Sequence, residues 1–352
     1  MKKYVVISCM LISLFAFKKG IDYTARETAV KEAISRSLLL LEKCSHTFLV
    51  NAAPMITCHS CHNQGLGIVT FAMAKKKGFA IDDTIYNEAI DSTCKQWKTY
   101  PNIQSLMEND DPLAVVIVGD YDLWALAEAN YKSNKMLDLL SQNVMRRQSW
   151  NGSWFSPGQR PPLEYYSFSV TALAVKNMQV YMPAILKDEV SRRLEKAREW
   201  MIKTTPVTNE EKAFQLLGLT WSSADKKFIG RQAKKLINSQ HEDGGWSQLE
   251  TLPTDAYATG QALYALKKAG QLPISESVYQ KGIDFLLKTQ EADGSWHVKT
   301  RSFPFVPYVN SGFPHGDDQF ISAAGSNWAT IALLLSVDDD KGVTKNIWFV
   351  IN

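Results

Sequence analysis

The chain has 352 residues, 45% of them hydrophobic and 21% charged, so it is long enough and apolar enough for one large globular domain. This composition excludes a disordered chain. A formal charge of only +3 excludes a nucleic-acid partner, which demands a basic stripe with interleaved aromatics.

The first twenty residues read as a processing segment. Lys2 and Lys3 precede an uncharged apolar run, Tyr4 to Phe17, which has the length of a signal-peptide core and is short for a bilayer span. No Ala-x-Ala cleavage site follows, and Val6-Ile7-Ser8-Cys9 is only a weak lipoprotein box. The expectation is an exported, periplasmic or envelope-associated protein with a signal at 1–20, one domain over 21–352 and no transmembrane segment beyond the signal. Of the five cysteines, Cys9 lies in this segment, and Cys44, Cys58, Cys61 and Cys94 all lie in the first hundred residues.

Internal repeats dominate the remainder. Gln-x-x-x-Gly-x-Trp occurs at Gln148–Trp154, Gln240–Trp246 and Gln290–Trp296, each after a Lys-rich helical stretch. Lys196 to Thr205 matches Lys281 to Gln290 position by position, except that Thr205 replaces the Gln, making it a degenerate copy. Between the copies lie Ala- and Leu-rich segments with little charge, at 121–129, 166–175, 257–266 and 326–335. Their apolarity on most sides predicts buried helices, whereas 188–202 has one apolar stripe and one wet face. Alternation in units of roughly 45 residues predicts inner and outer rings of helical hairpins. In the motif, the Gly is expected to end the outer helix in a left-handed conformation. The Trp should pack between hairpins, and the Gln should satisfy free backbone groups at a helix end.

These three motifs resemble the QW repeats of triterpene cyclases, and the hairpin alternation resembles the α/α barrel those enzymes share with protein prenyltransferase β subunits. The resemblance covers most of 60–340 and implies an all-α toroid of about six hairpins. Asp255-Ala-Tyr-Ala-Thr-Gly-Gln-Ala-Leu and Ser311-Gly-Phe-Pro-His315-Gly-Asp-Asp-Gln also resemble a bacterial subgroup of exported cyclase-like proteins, some with a Cys-x-x-Cys-His segment.

Cys58-His59-Ser60-Cys61-His62 is a complete Cys-x-x-Cys-His. Two thiols at this spacing add to the vinyl groups of haem while His62 coordinates the iron, and export delivers the chain to haem-attachment machinery. A Cys58–Cys61 disulfide, or a zinc half-site completed by His59, Cys44 or Cys94, are the alternatives. Met55, Met73, His46 and His315 are the candidate sixth ligands.

The resemblance also implies a proton donor from Asp-x-Asp-Asp at the start of an inner helix. Asp255 and Thr259 match that pattern, but Tyr257 and Ala258 stand where the later acids belong. Asp120 and Asp122 are two acids at a comparable helix start. Helix capping is the alternative use of all three. The loop Phe313 to Gln319 brings His315, Asp317 and Asp318 together as an acid–base or metal-capable set, or else as a turn that caps the next helix. Nearby Phe303, Phe305, Tyr308 and Trp328 line a pocket or fill the core. Prenyltransferase zinc is unsupported, since no cysteine follows Cys94; no phosphate loop, nucleophile elbow or His-Glu-x-x-His occurs, and Asp338 to Lys341 reads as a solvated turn.

Together these features predict an exported squalene-cyclase-like protein that carries covalent haem c and binds an apolar, isoprenoid-like small molecule. The alternatives are a terpene cyclase-type enzyme with atypical acids and a non-catalytic toroid that binds a protein or polysaccharide.

Overall fold

The computed structural model describes residues 3–56, 61–98 and 119–337, without 157, 159, 164, 271 and 304–308, and side chains from residue 25 onward apart from 55, 61, 96 and 98. The side chains of residues 1–20, Met55, Cys58, His59, Cys61, Phe305, Tyr308 and Asp338 to Lys341 therefore lie outside the described residues.

Odd-numbered helices form an outer ring: α1 (Lys3–Thr47), α3 (Asp83–Lys98), α5 (Lys135–Arg146), α7 (Lys187–Lys203), α9 (Lys226–Ile237) and α11 (Ser277–Thr289). Even-numbered helices form the inner ring: α2 (Leu66–Lys76), α4 (Gly119–Glu128), α6 (Ser167–Tyr181), α8 (Asn209–Trp221), α10 (Ala256–Lys268) and α12 (Gln319–Ser336). Each inner helix packs on the next, and α12 packs back on α2, so the ring closes. The expected α/α toroid of six hairpins is what the chain forms. Among the described residues the only strands are a two-residue pair, β1 (Trp246–Ser247) and β2 (Thr254–Asp255).

Composition explains which helix goes where. Every residue of α10 from Ala256 to Leu266 is buried, as expected for a helix apolar on all sides. In α9 only Gln232, Ala233 and Leu236 are buried, one stripe of an otherwise Lys-rich helix. Gly260 lets α10 and α12 touch backbone to backbone, because a Cβ there would collide with the main chain of Trp328. The ring axis is filled by side chains from four inner helices. Trp124 stacks on Trp328 with ring centroids 5.7 Å apart, and Tyr264 and Phe214 meet Trp328 edge-on at 5.5 and 6.2 Å. Trp328 is thus core, and Phe303 is exposed.

The repeat motif works as one module at three joints. The indole N–H of Trp154, Trp246 and Trp296 donates to the carbonyl ten residues earlier in its own outer helix, at 2.6, 2.8 and 2.9 Å. The backbone N–H of each Trp donates to an inner-helix hydroxyl, of Thr171, Thr259 or Ser326. The Gln side chain reaches outward: Gln148 donates to Arg193 O, Gln240 to Val278 O and Gln290 to Ala33 O, at 2.9, 2.8 and 2.8 Å, while also closing its own turn on the motif glycine. The glycines do adopt left-handed φ values of 99°, 90° and 90°. They differ from expectation in place. The outer helices end at Arg146, Ile237 and Thr289, and the glycine lies in the turn beyond, pressed against the backbone of Lys196, Lys281 or Arg36 where no Cβ fits. In the degenerate copy, Gln215 of inner helix α8 donates instead to Met201 O and Thr204 O, at 2.7 and 3.2 Å.

The third motif closes the circle onto α1. Arg36 of α1 donates to Gln290 Oε1, Arg26 pairs with Asp284 at 2.8 Å, and Ser37 meets Thr330 of α12. Residues 26–48 are therefore the sixth outer stave. Among the described residues no helix is long and apolar enough to cross a membrane.

Trp154, Trp246 and Trp296 are at most 1% exposed. Truncating Trp246 to Ala removes a buried indole and its bonds, and is expected to cost about 3–5 kcal/mol in denaturant unfolding. A variant that unfolds at the same midpoint as the parent would remove the clamp role.

Candidate functional site

The first turns of the inner helices place polar residues around the mouth of the filled ring. At the start of α8, Thr208 caps the helix. Glu211 N–H donates to Thr208 Oγ1 at 3.2 Å, and the Glu211 carboxylate accepts from Thr208 N–H at 2.9 Å. Folding Glu211 back over the cap turns its neighbour Glu210 inward, about 100° around the helix. Glu210 is buried; its Oε2 accepts from the Tyr257 hydroxyl at 2.7 Å and from Gln261 Nε2 at 3.4 Å. Its Oε1 has no partner, and neither do Gln261 Oε1 and Asn209 Oδ1. Tyr166, Asn209, Glu210, Gln248, Tyr257 and Gln261 line a recess of about 150 Å³, its open mouth included.

Burial pushes the Glu210 carboxyl up to about 7, against the pull of the Tyr257 hydroxyl, the nearby Ser169 hydroxyl, the Gln261 amide and the charge of Arg301. Glu210 therefore carries a proton as pH falls below about 7, and then offers both a donor and an acceptor. Burial likewise pushes the Tyr257 phenol well above its usual value, aided by Glu210, so it stays neutral. Arg301 reaches the rim, donating to Gln248 Oε1 at 2.7 Å and meeting the Tyr166 hydroxyl at 3.4 Å.

The structure separates the acids singled out in the sequence. Asp255 is the N-cap of α10: its Oδ1 accepts from Ala258 N–H at 2.8 Å and its Oδ2 from Gln248 at 3.0 Å. Burial raises it to about 6, while those bonds pull it down. Its geometry is that of a cap. Asp120 is wholly buried in the first turn of α4, where Asn177 Nδ2 donates to its Oδ1 at 3.0 Å and its Oδ2 has no partner; burial pushes its carboxyl well above the usual range. Asp122 accepts from the Trp97 indole at 2.7 Å. Where the cyclase resemblance asks for a second acid on α10, Tyr257 stands, and it bonds to Glu210 from the neighbouring inner helix α8. The sequence reading missed Glu210. The signal for it was the Thr208-x-x-Glu211 capping box, which fixes which way position 210 faces.

The His315 loop forms a second polar group. His315, at a left-handed φ of 81°, accompanies a short turn (Gly316–Asp318) before α12. Its Nε2 lies 2.8 Å from Ser295 Oγ, and its ring stacks on that of His297 with centroids 4.6 Å apart. Asp318 is buried and accepts from His297 Nε2 at 2.8 Å, Lys299 Nζ at 3.2 Å and Thr300 N–H at 2.8 Å. Burial opposes the Asp318 carboxylate, but these bonds outweigh it and hold its pKa below the usual range. Burial lowers the His315 imidazole below its usual value. Asp317 is exposed, while His297 is the member of this set that the sequence did not flag.

His62 lies in a helical turn (Cys61–Gly65), buried, with Phe48 and Phe320 edge-on to its ring at 6.4 and 5.9 Å. Its carbonyl accepts from Asn327 Nδ2 at 3.2 Å.

No protein-family model matches this chain. A stretch of 128 residues is 27% identical to an alpha-2-macroglobulin of Thermotoga maritima, covering 35% of this chain and 8% of that protein. A stretch of 127 residues is 30% identical to lanosterol synthase of Candida albicans, covering 36% of this chain and 16% of the synthase. The chain thus matches only a small part of either relative. Among solved structures, the type II terpene cyclase MstE from Scytonema, in a variant bound to geranylgeranyl dihydroxybenzoate, superposes with a TM-score of 0.55 at 12% identity, over 89% of this chain and 99% of that one. A variant bound to merosterolic acid A gives 0.56 at 11% identity, over 89% and 98%. An unsaturated glucuronyl hydrolase specific for heparin gives 0.56 at 13% identity, over 88% and 97%. The chain is an α/α-toroid protein with the fold of type II terpene cyclases.

The raised Glu210 pKa sets a pH dependence. The unfolded carboxyl ionises near 4.5 and the folded one near 7, so the folded state holds the extra proton between those values. Stability from this group is fully present below pH 4.5 and is lost as pH rises to about 7, by an amount on the order of 3 kcal/mol. Glu210→Gln is expected to flatten that slope in urea melts between pH 4.5 and 7.5. An unchanged slope would show that the carboxyl ionises normally.

Proposed function

We propose that this protein is an exported cyclase-like toroid that binds an apolar, isoprenoid-like molecule at the mouth of its inner ring. Glu210, Tyr257 and Gln261 receive the polar end of that molecule. The observation that carries this reading is the convergence of three buried side-chain oxygens without partners on one recess, those of Glu210, Gln261 and Asn209. Native folds pair nearly all such atoms, so a hydroxyl or amide supplied by a ligand has a thermodynamic reason to sit there. The recess has no room for a water-sized sphere, so it is not a pocket that engulfs a ligand whole. A polar head group therefore meets these side chains at the mouth, with the apolar chain directed away from it. The terpene cyclase neighbours, one solved with geranylgeranyl dihydroxybenzoate, support the isoprenoid class.

Binding of geranylgeraniol, followed by tryptophan fluorescence, is expected to saturate. Glu210→Ala is expected to weaken it about tenfold, the size of one lost hydrogen bond to a buried partner. No saturable binding, or equal affinity in Glu210→Ala, overturns the site.

Proton-initiated cyclisation is the second reading, favoured by the acid at an inner-helix start. A carboxyl raised to about 7 gives up its proton too reluctantly to protonate an alkene. Squalene incubated with the protein is therefore expected to return unchanged; a cyclic product abolished by Glu210→Gln or Asp120→Asn would reverse this.

We further propose, on the motif, that Cys58 and Cys61 bind haem covalently and that His62 ligates its iron. The apolar rings of Phe48 and Phe320 around His62 are compatible surroundings for that ligand. Protein exported in a host with haem-attachment machinery is expected to gain the mass of one haem, resistant to denaturation, and Cys61→Ala to lose most of it. A colourless product beside a control cytochrome that acquires haem removes this part of the proposal.

A further inference from the structure

We infer that Glu291, His297 and His315 form a site for one divalent transition-metal ion on the third repeat turn. One ligating atom from each of the three residues lies within 4.8 Å of the other two. The repeat geometry brings two of them together. Glu291 and His297 occupy the first and seventh positions after the motif Gln, and in the second repeat the residues at those positions, His241 and Ser247, already bond at 3.0 Å. The third ligand comes from the loop before α12, which lays the His315 ring parallel to that of His297, 14° apart.

Both imidazoles are oriented from behind. The Ser295 hydroxyl donates to Asp293 Oδ1 at 2.7 Å, so its oxygen accepts from His315 Nε2–H. Asp318, acceptor-only as a carboxylate, accepts a hydrogen bond from His297 Nε2–H at 2.8 Å. In each neutral ring this leaves Nδ1 as the nitrogen with a lone pair to give. A carboxylate or hydroxyl behind the outer nitrogen is the arrangement that fixes tautomer and ring direction in metal-binding histidines. His315 also holds a left-handed backbone that a Cβ disfavours, between Pro314 and Gly316, which supports a constraint beyond turn formation.

Two imidazoles and one carboxylate suit zinc and its neighbours, nickel and copper, and leave a coordination position for water. Zinc bonds of about 2.0–2.1 Å separate tetrahedral ligands by about 3.3 Å. Stacked parallel rings cannot both aim an in-plane lone pair at one ion, so binding requires one imidazole to turn out of the stack while the exposed Glu291 carboxylate closes in. Bound metal would staple the His315 loop to the repeat turn that holds α11 against α1.

The test uses the full chain, freed of metal, titrated with Zn²⁺ by calorimetry and by thermal melting. One equivalent is expected to bind to this site and to raise the melting temperature. His297→Ala and His315→Ala should each remove that equivalent and the temperature shift. Glu291→Gln, which keeps shape and loses charge, should weaken binding at least tenfold. Asp318→Asn should weaken it less, by removing the group that orients His297. A Cys58→Ser/Cys61→Ser variant separates this site from the cysteine motif and should retain the equivalent. Unchanged stoichiometry in both histidine variants, or loss of the equivalent in the cysteine variant alone, overturns the assignment.

Discussion

Everything in this molecule depends on how one outer helix is held to the next. An α-helix leaves no free N–H along its sides, only the second lone pair of each carbonyl, and two amphipathic helices side by side share only a stripe of contact. The Gln-x-x-x-Gly-x-Trp turn overcomes that limit by donating a side-chain amide to a carbonyl of the following outer helix, while its glycine lies flush against that helix's backbone. The Trp of the same turn is anchored to the outer helix behind it and to the inner helix beside it. One heptapeptide therefore binds three helices. Repeated around the ring, it converts local hairpins into a closed structure.

Closure has two consequences for function. The last turn docks on α1, so residues 26–48 are structural, and damage to them opens the ring rather than trimming an appendage. Closure also forces six buried helices around one axis. Trp124, Trp328, Tyr264 and Phe214 fill that axis, which leaves the mouth, at the inner-helix starts, as the place where the ring meets polar chemistry. Helix starts need capping groups, and capping residues are polar. Some of these groups serve the helices, as Asp255 does. Others, such as Glu210, Asn209 and Gln261, are buried without full partners, a cost that folding alone does not repay.

The sequence carried the scaffold legibly because the scaffold repeats. Ala-rich segments alternating with Lys-rich ones gave the two rings, and the three tryptophans at motif spacing gave the joints. The degenerate joint was visible, but not its repair: Gln215 lies on the other helix, and only the fold brings it to Met201 and Thr204. The candidate site was less legible for the same reason. The family pattern runs along a single helix and points to Asp255 on α10 or Asp120 and Asp122 on α4, whereas the acid at the mouth comes from α8 and meets Tyr257 on the neighbouring α10. Similarly, the loop residues 315–318 were recognised as a set, but Glu291 and His297 belong to a repeat turn whose seven positions look purely structural in sequence.

The central claim is that the mouth of the inner ring holds a protonated, incompletely paired carboxyl poised to meet a ligand. Infrared difference spectroscopy between the free protein and protein with geranylgeraniol, at pH 6, tests it most directly. The account predicts a carboxylic-acid carbonyl band in the free protein that shifts on ligand addition and is missing in Glu210→Gln. A spectrum with no such band at pH 6, or a band that the ligand leaves in place, would contradict it.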